Sequence, residues 1–345
     1  MKNIAYCFLL FTSFFCKAQG FDKTKQYTPV AVGFWNVENF YDTLNDPLKQ
    51  DEEFLPGSSN NWNSKKYYTK LDHISTIISQ LATDASPDGV AIMGLCEIES
   101  KSVLEDITKA PKLAGRNYKI VHVEGPDARG VDVAFLYNPK YFTITSFHPY
   151  HLKLVVDSNH TTRDQLLVTG KLLGEEFHFI VCHWPSRYGG GLSEPNRIAA
   201  AKLSRKIIDS LLQANANAKV ILMGDLNDDP TDKSIRQYLN AIGNPKEVKA
   251  PFLFNGMESL FKKGIGTLAY NDMWNLFDQE IMTPALVSGN YKGLHFHEAH
   301  IFNKQLVLTE GGKFKGYPFR TFSGGAYTGG YSDHFAVYSI FLKER

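Results

Sequence analysis

Short apolar runs recur along the chain, and several switch abruptly to polar side chains at one end. "VAVGFWNVENFYD" (30–42), "GVAIMGLCEIES" (89–100), "EEFHFIVCHWPSR" (175–187) and "AKVILMGDLNDDP" (218–230) are too short and too uniformly apolar for amphipathic helices. They read as buried strands. "GVDVAFLYNP" (130–139) and "YFTITSFHPYHL" (141–152) read as consecutive strands broken at Asn138-Pro139. "DQLLVTGKLL" (164–173) pairs with the run at 175–187 around Gly174. Helical spacing is different: Leu71, Ile74, Ile77, Ile78 and Leu81 form one face of residues 67–82. A second helix is predicted over 194–216, with Pro195 near its start. The polar stretch 44–70 reads as a surface loop, and 273–287 and 334–342 supply the last strands. No internal repeat or low-complexity linker interrupts this order. Strand pairs with interleaved helices fit two sheets packed face to face with helices outside.

Composition changes this picture at the N-terminus. Hydrophobic residues make up 43% and charged residues 21% of the 345, an ordinary globular mixture. Lys2, then the apolar run Ile4 to Phe15, then Ala18-Gln19, read as a signal peptide over 1–19, with a short polar leader at 20–28 and a single domain over 29–345. A secreted or periplasmic location follows. A lipoprotein anchor at Cys16 is disfavoured, because Ser13-Phe14-Phe15 lacks a small residue before the cysteine. No later segment is apolar enough for stable membrane insertion. Cleavage removes Lys2 and Lys17 and no acid, taking the formal charge from +1 to −1. That excludes a strongly basic nucleic-acid scaffold, though not a local basic cleft. Cys96 and Cys182 remain, and both end apolar runs, so buried free thiols are expected rather than a disulfide.

The candidate chemistry lies at the strand ends. Asn36, Glu97, His183, and Asp225 with Asn227 each follow an apolar run. One polar residue there is what any strand reaching the surface offers, and an Asx turn accounts for Asp225 alone. Repetition with acid, amide and imidazole groups is how α/β folds gather a site. Carboxylate and amide oxygens suit Mg²⁺, Mn²⁺ or Ca²⁺, whereas the zinc patterns HExxH and CxxC are missing. Histidines among such acids serve hydrolysis, and a phosphate ester is the electrophile they fit best. No Gly-x-Ser-x-Gly, Walker loop or dinucleotide fingerprint occurs.

Taken in order, "GFWNVEN", "GLCEIES", "TTRDQLL", "CHWPS", "GDLND", "LFDQEIMT" and "YSDHFAV" resemble the motifs of the endonuclease/exonuclease/phosphatase superfamily, the fold of pancreatic deoxyribonuclease and exonuclease III. The resemblance spans roughly residues 29–343. It implies a four-layer α-β-β-α sandwich of two packed, mainly antiparallel sheets with outer helices. It implies a metal held by Asn36, Glu97 and Asp333, with Mg²⁺ the expected ion. His183, Asp225, Asn227, Asp278 and His334 would be catalytic: Asp225 and Asn227 positioning water, Asp278 orienting His334. Arg163, Arg129 and Arg320 would contact substrate, and Ser186 and Arg187 would line the cleft. Trp35 and Trp184 are expected to face away into the core. The activity implied is metal-dependent phosphoester hydrolysis, first of all a secreted endonuclease with nucleic acid as substrate, acting as a monomer. A phosphatase or phosphodiesterase on lipid or inositol phosphates is the alternative. A sphingomyelinase-like enzyme would carry an exposed apolar hairpin, and none is evident in the sequence. A non-catalytic binding module is the third reading, which the intact acids and histidines oppose.

Overall fold

The computed structural model describes residues 21–156 and 160–345. The expected signal peptide at 1–19 lies outside the described residues. The strands are β1 (Tyr27–Phe40), β2 (Val90–Ile98), β3 (Lys119–His122), β4 (Asp132–Tyr137), β5 (Phe142–Tyr150), β6 (Gln165–Leu172), β7 (Glu175–His183), β8 (Val220–Asp225), β9 (Ala241–Ile242) and β10 (Leu253–Asn255). They continue with β11 (Leu268–Tyr270), β12 (Met273–Asn275), β13 (Asp278–Met282), β14 (His295–Ile301), β15 (Phe322–Ser323), β16 (Ala326–Tyr327) and β17 (Val337–Glu344).

Two mixed sheets form the centre. One has the order β14-β17-β1-β2-β4-β3 and the other β5-β6-β7-β8-β13-β10-β9. Each carries a central parallel pair, β1/β2 and β7/β8, among mostly antiparallel neighbours. A helix makes each crossover that a parallel pair requires. Helix α1 (Ser64–Gln80) joins β1 to β2, and α3 (Glu194–Ala214) joins β7 to β8. Asn63 caps α1 by accepting the Lys66 amide hydrogen.

Alternation along the strands builds three cores. Val30, Val32 and Phe34 of β1 meet Phe179, Val181, Ile221 and Met223 between the sheets. Ala31, Trp35 and Val37 point the other way, against Ile74, Ile77 and Ile78 of α1 and Val103 and Leu104 of α2 (Lys101–Lys109). On the far side Ile180, Cys182 and Trp184 pack on Ala200, Ala201, Ile207 and Ile208 of α3. The result is the four-layer α-β-β-α arrangement. Both tryptophans sit in the outer cores, and Cys96 and Cys182 are buried free thiols.

The sequence-based boundaries shift in four places. β1 begins at Tyr27, inside the stretch expected to be a leader, because Tyr27 and Thr28 pair with Glu344 and Lys343. α1 starts at Ser64, within the expected loop. The run 273–287 splits into β12 and β13, and β17 begins only at Val337, leaving Asp333 and His334 in the preceding loop. The short helix α2 and the histidine-rich edge strand β14 went unpredicted.

Candidate active site

Strand register assembles the site. At the ends of β7, β8 and β13, His183 lies opposite Asp225, and Asp225 opposite Asp278. Three site side chains therefore stand in a row on adjacent strands. Gly224 permits this closeness, since a Cβ there would fall 2.4 Å from the Cys182 carbonyl oxygen. In the facing sheet, β1 and β2 lose regular register just past Asn36 and at Glu97. Glu97 takes a left-handed conformation (φ 61°), as do Glu38 (57°) and Asn227 (49°). Such backbone is costly for a glutamate and marks places where structure is bent to aim a side chain.

These ends enclose a cleft of about 430 Å³ lined by Asn36, Glu97, Arg129, Arg163, His183, Asp225, Asn227 and His334, with Ser186 and Tyr188 at its wall. Asp225 is its hub. Its Oδ2 accepts a hydrogen bond from Asn36 Nδ2 at 3.0 Å and lies 3.7 Å from His183 Nε2 and 3.8 Å from His334 Nε2. Its Oδ1 accepts the Asn227 amide at 3.0 Å. Asp278 sits behind the cleft, fully buried, with Oδ2 2.7 Å from His334 Nδ1. That contact fixes the ring and leaves Nε2 toward Asp225. Ser332 secures the same loop: its hydroxyl donates to the Asn36 carbonyl and accepts from the His334 amide.

The two imidazoles sit in opposite fields. Burial, then the Arg163 and Arg129 guanidinia, hold His183 well below the ordinary histidine value. Burial also disfavours charge on His334, but the Asp278 and Asp225 carboxylates outweigh it and hold that ring well above. Burial raises the Asp225 carboxyl. One neutral and one charged imidazole flank a single acid, the division of labour that acid–base chemistry needs.

Arg163 is fixed by the Asp127 carboxylate (3.1 Å) and the Trp184 carbonyl (2.8 Å), which also accepts from Asn227 Nδ2. Arg129 pairs with the same Asp127. Three expected members, Asp333, Arg320 and Arg187, lie off the cleft wall. Asp333 bonds Arg320 at 2.6 Å, with its other oxygen 4.0 Å from His334 Nε2. Both Asp333 and Arg320 line a neighbouring cavity. Arg187 is turned away, bound to Asp229 and Asp232. Sequence reasoning missed Glu38, Lys70 and Tyr188. Lys70 Nζ is buried in α1, 3.8 Å from Glu38, and donates to Thr321 Oγ1 and the Tyr331 carbonyl. Burial lowers the lysine and raises the glutamate. Nothing in the sequence separates a buried helical lysine from a solvated one.

The donor set fits a hard divalent cation. Glu97 Oε2 accepts the Asn39 amide hydrogen, whereas no hydrogen bond among the described residues engages Oε1. His183 Nε2, 3.9 Å away, is beyond hydrogen-bond reach, which leaves this oxygen available to a cation. Ligand atoms of Asp225, Asp278 and His334 also lie within 4.8 Å of one another, but the Asp278–His334 hydrogen bond already uses that pair.

A family model described as the endonuclease/exonuclease/phosphatase family matches residues 31–344. The chain belongs to this family. Its chemistry is the hydrolysis of phosphate esters. A search of curated proteins gives no match. Among solved structures, the fold is similar to an endonuclease/exonuclease/phosphatase family protein of Bacteroides thetaiotaomicron, at TM-score 0.55 and 17% identity, covering 92% of this chain and 99% of that one. It is also similar to D. rerio TDP2 complexed with a single-strand DNA product (TM-score 0.54, 14% identity, 91% and 99% covered). A Bacteroides thetaiotaomicron mannosyl-6-phosphatase aligns with TM-score 0.54 and 18% identity over 90% and 99%. At these identities the likeness is one of fold.

Proposed function

We propose that the protein is an exported, Mg²⁺-dependent endonuclease that hydrolyses phosphodiester bonds of DNA or RNA by in-line attack of water. The observation that carries it is Asp225 held between two oppositely tuned imidazoles, the Asn36 side-chain amide and the Asn227 backbone amide. Asp225 and Asn227 position the attacking water. His334, oriented by Asp278, faces the phosphoryl group with Nε2. Neutral His183 stands across from it, able to exchange a proton with the substrate. Arg163 and Arg129 meet phosphate oxygens, and their shared anchor, Asp127, keeps them from collapsing into the cleft. Glu97, with Asn36, would hold the metal, which supplies Lewis-acid stabilisation of developing phosphate charge. Asp333 would join them only after exchanging its Arg320 contact. One chain provides every group, so a monomer suffices. A binding module would need neither the Asp278–His334 pair nor the strained Glu97.

The single-strand DNA product bound by TDP2 supports a nucleic-acid substrate in this fold. A lipid phosphodiester is the second reading. It rests on the β11–β12 hairpin, whose Tyr270 and Met273 are exposed at its tip, a feature not evident in the sequence. Export rests on the Lys2, Ile4–Phe15 and Ala18 pattern. Intact mass of the chain recovered from the producing cell tests it: loss of about 19 residues is expected, and a retained leader contradicts it.

The functional test is a panel of plasmid DNA, RNA, an aryl monoester and sphingomyelin vesicles, with wild type and His334→Ala. Nicking of DNA or RNA that His334→Ala loses is expected. Monoester cleavage alone points to a phosphatase, vesicle cleavage alone to the lipid reading, and no hydrolysis at all sinks the enzyme.

A further inference from the structure

Beside the cleft lies a second cavity of about 410 Å³ with largely apolar walls. One wall is the β11–β12 hairpin, and the other is the segment that carries Phe314, Tyr317 and Phe319. Asp333 and Arg320 line it where it meets the catalytic cleft, and Asp333 precedes His334 in the chain. Asp333 Oδ1 lies 4.0 Å from Nε2 of His334 in the cleft, so a base held here and a phosphate held there can belong to one nucleotide.

The cavity is prebuilt. Asn271 and Asp272 both take left-handed backbone (φ 48° and 60°), the two-residue turn that sets a tight hairpin. Tyr317 Oη donates to Asp272 Oδ1 and accepts from the Asp272 amide, tying the walls together. Aromatic faces remain open: Tyr270 is 68% and Phe314 45% exposed, with Phe314 5.7 Å from Tyr317. Lys313 stands 5.6 Å from the Phe314 ring. The Asn271 amide and Ser323 hydroxyl have no hydrogen-bond partner among the described residues.

We propose that this cavity is a nucleobase subsite, holding the base of the nucleotide that flanks the scissile phosphate. The inference rests on the diesterase reading above. Exposed aromatic rings stack any base, and Lys313 meets the backbone charge that accompanies it. The free amide and hydroxyl meet base edges. An acyl chain would bury those polar groups unpaired, at a cost.

The test compares two chromogenic diesters in Mg²⁺: the p-nitrophenyl ester of thymidine 5′-monophosphate and methyl p-nitrophenyl phosphate. Wild type is expected to prefer the nucleotide ester. Phe314→Ala and Tyr270→Ala each should lower that preference about tenfold, chiefly through KM, and leave the methyl ester unchanged. An unchanged preference, or equal losses on both esters, overturns the subsite. So does a loss confined to sphingomyelin vesicles, which would assign the cavity to lipid. If wild type hydrolyses neither ester, the diesterase reading fails and takes this inference with it. Hydrolysis of both esters with unaltered variants removes the subsite alone.

Discussion

At the scale of single residues, the account turns on groups whose charge is set by what surrounds them. Asp278 touches no cleft surface; it acts by fixing His334. Asp278→Asn is expected to lower kcat about 10²–10⁴-fold, with KM little changed. Steady-state kinetics check this, and a loss below threefold would mean that His334 needs no orientation. Glu280, two residues along β13, carries a different consequence. Its carboxylate oxygens are buried without hydrogen-bond partners, and burial pushes the carboxyl up to about 8. Folding raises this pKa, so the folded state binds a proton that the unfolded chain releases above about 4.3. The burden on stability is therefore absent in acid and grows as pH rises toward 8. Glu280→Gln should raise Tm by several degrees at pH 8.5 and hardly at all at pH 4.5. Equal shifts at both values would contradict the buried-acid account.

At the scale of elements, legibility in the sequence followed pattern strength. The strand-end residues stood out because an apolar run cannot carry Glu97 or Asp225 inward without a reason. Their convergence was expected only from motif order; the cross-strand register and the bent backbone at Glu97 supply the physical cause. β14 escaped notice because histidines and a glutamate replace the apolar residues of an edge strand. The Lys70–Glu38 pair was invisible for another reason. Glu38 meets Thr321, 283 positions away, and Lys70 meets the Tyr331 carbonyl, 261 away, contacts that no local pattern encodes. This pair pins α1 and the end of β1 to the loop before Asp333. Lys70→Met keeps the bulk but leaves Glu38 buried without its cation, and should cost about 3–5 kcal/mol in denaturant unfolding. A loss under 1 kcal/mol would show that the lysine does not anchor the loop.

At the scale of the molecule, two sheets meet so that the ends of two parallel pairs face one cleft, and every proposed role depends on that meeting. Backbone amides of Asn39 and Asn227 hold Glu97 from one sheet and Asp225 from the other. The free oxygen on Glu97 is what the fold leaves for a cation. The most direct measurement is the initial rate of DNA cleavage across a Mg²⁺ titration, for wild type and Glu97→Gln, with EDTA as the zero point. The account predicts no cleavage in EDTA, recovery on adding Mg²⁺, and at least a tenfold higher Mg²⁺ requirement for Glu97→Gln. Cleavage that persists in EDTA, or superimposable titrations for the two proteins, would contradict it.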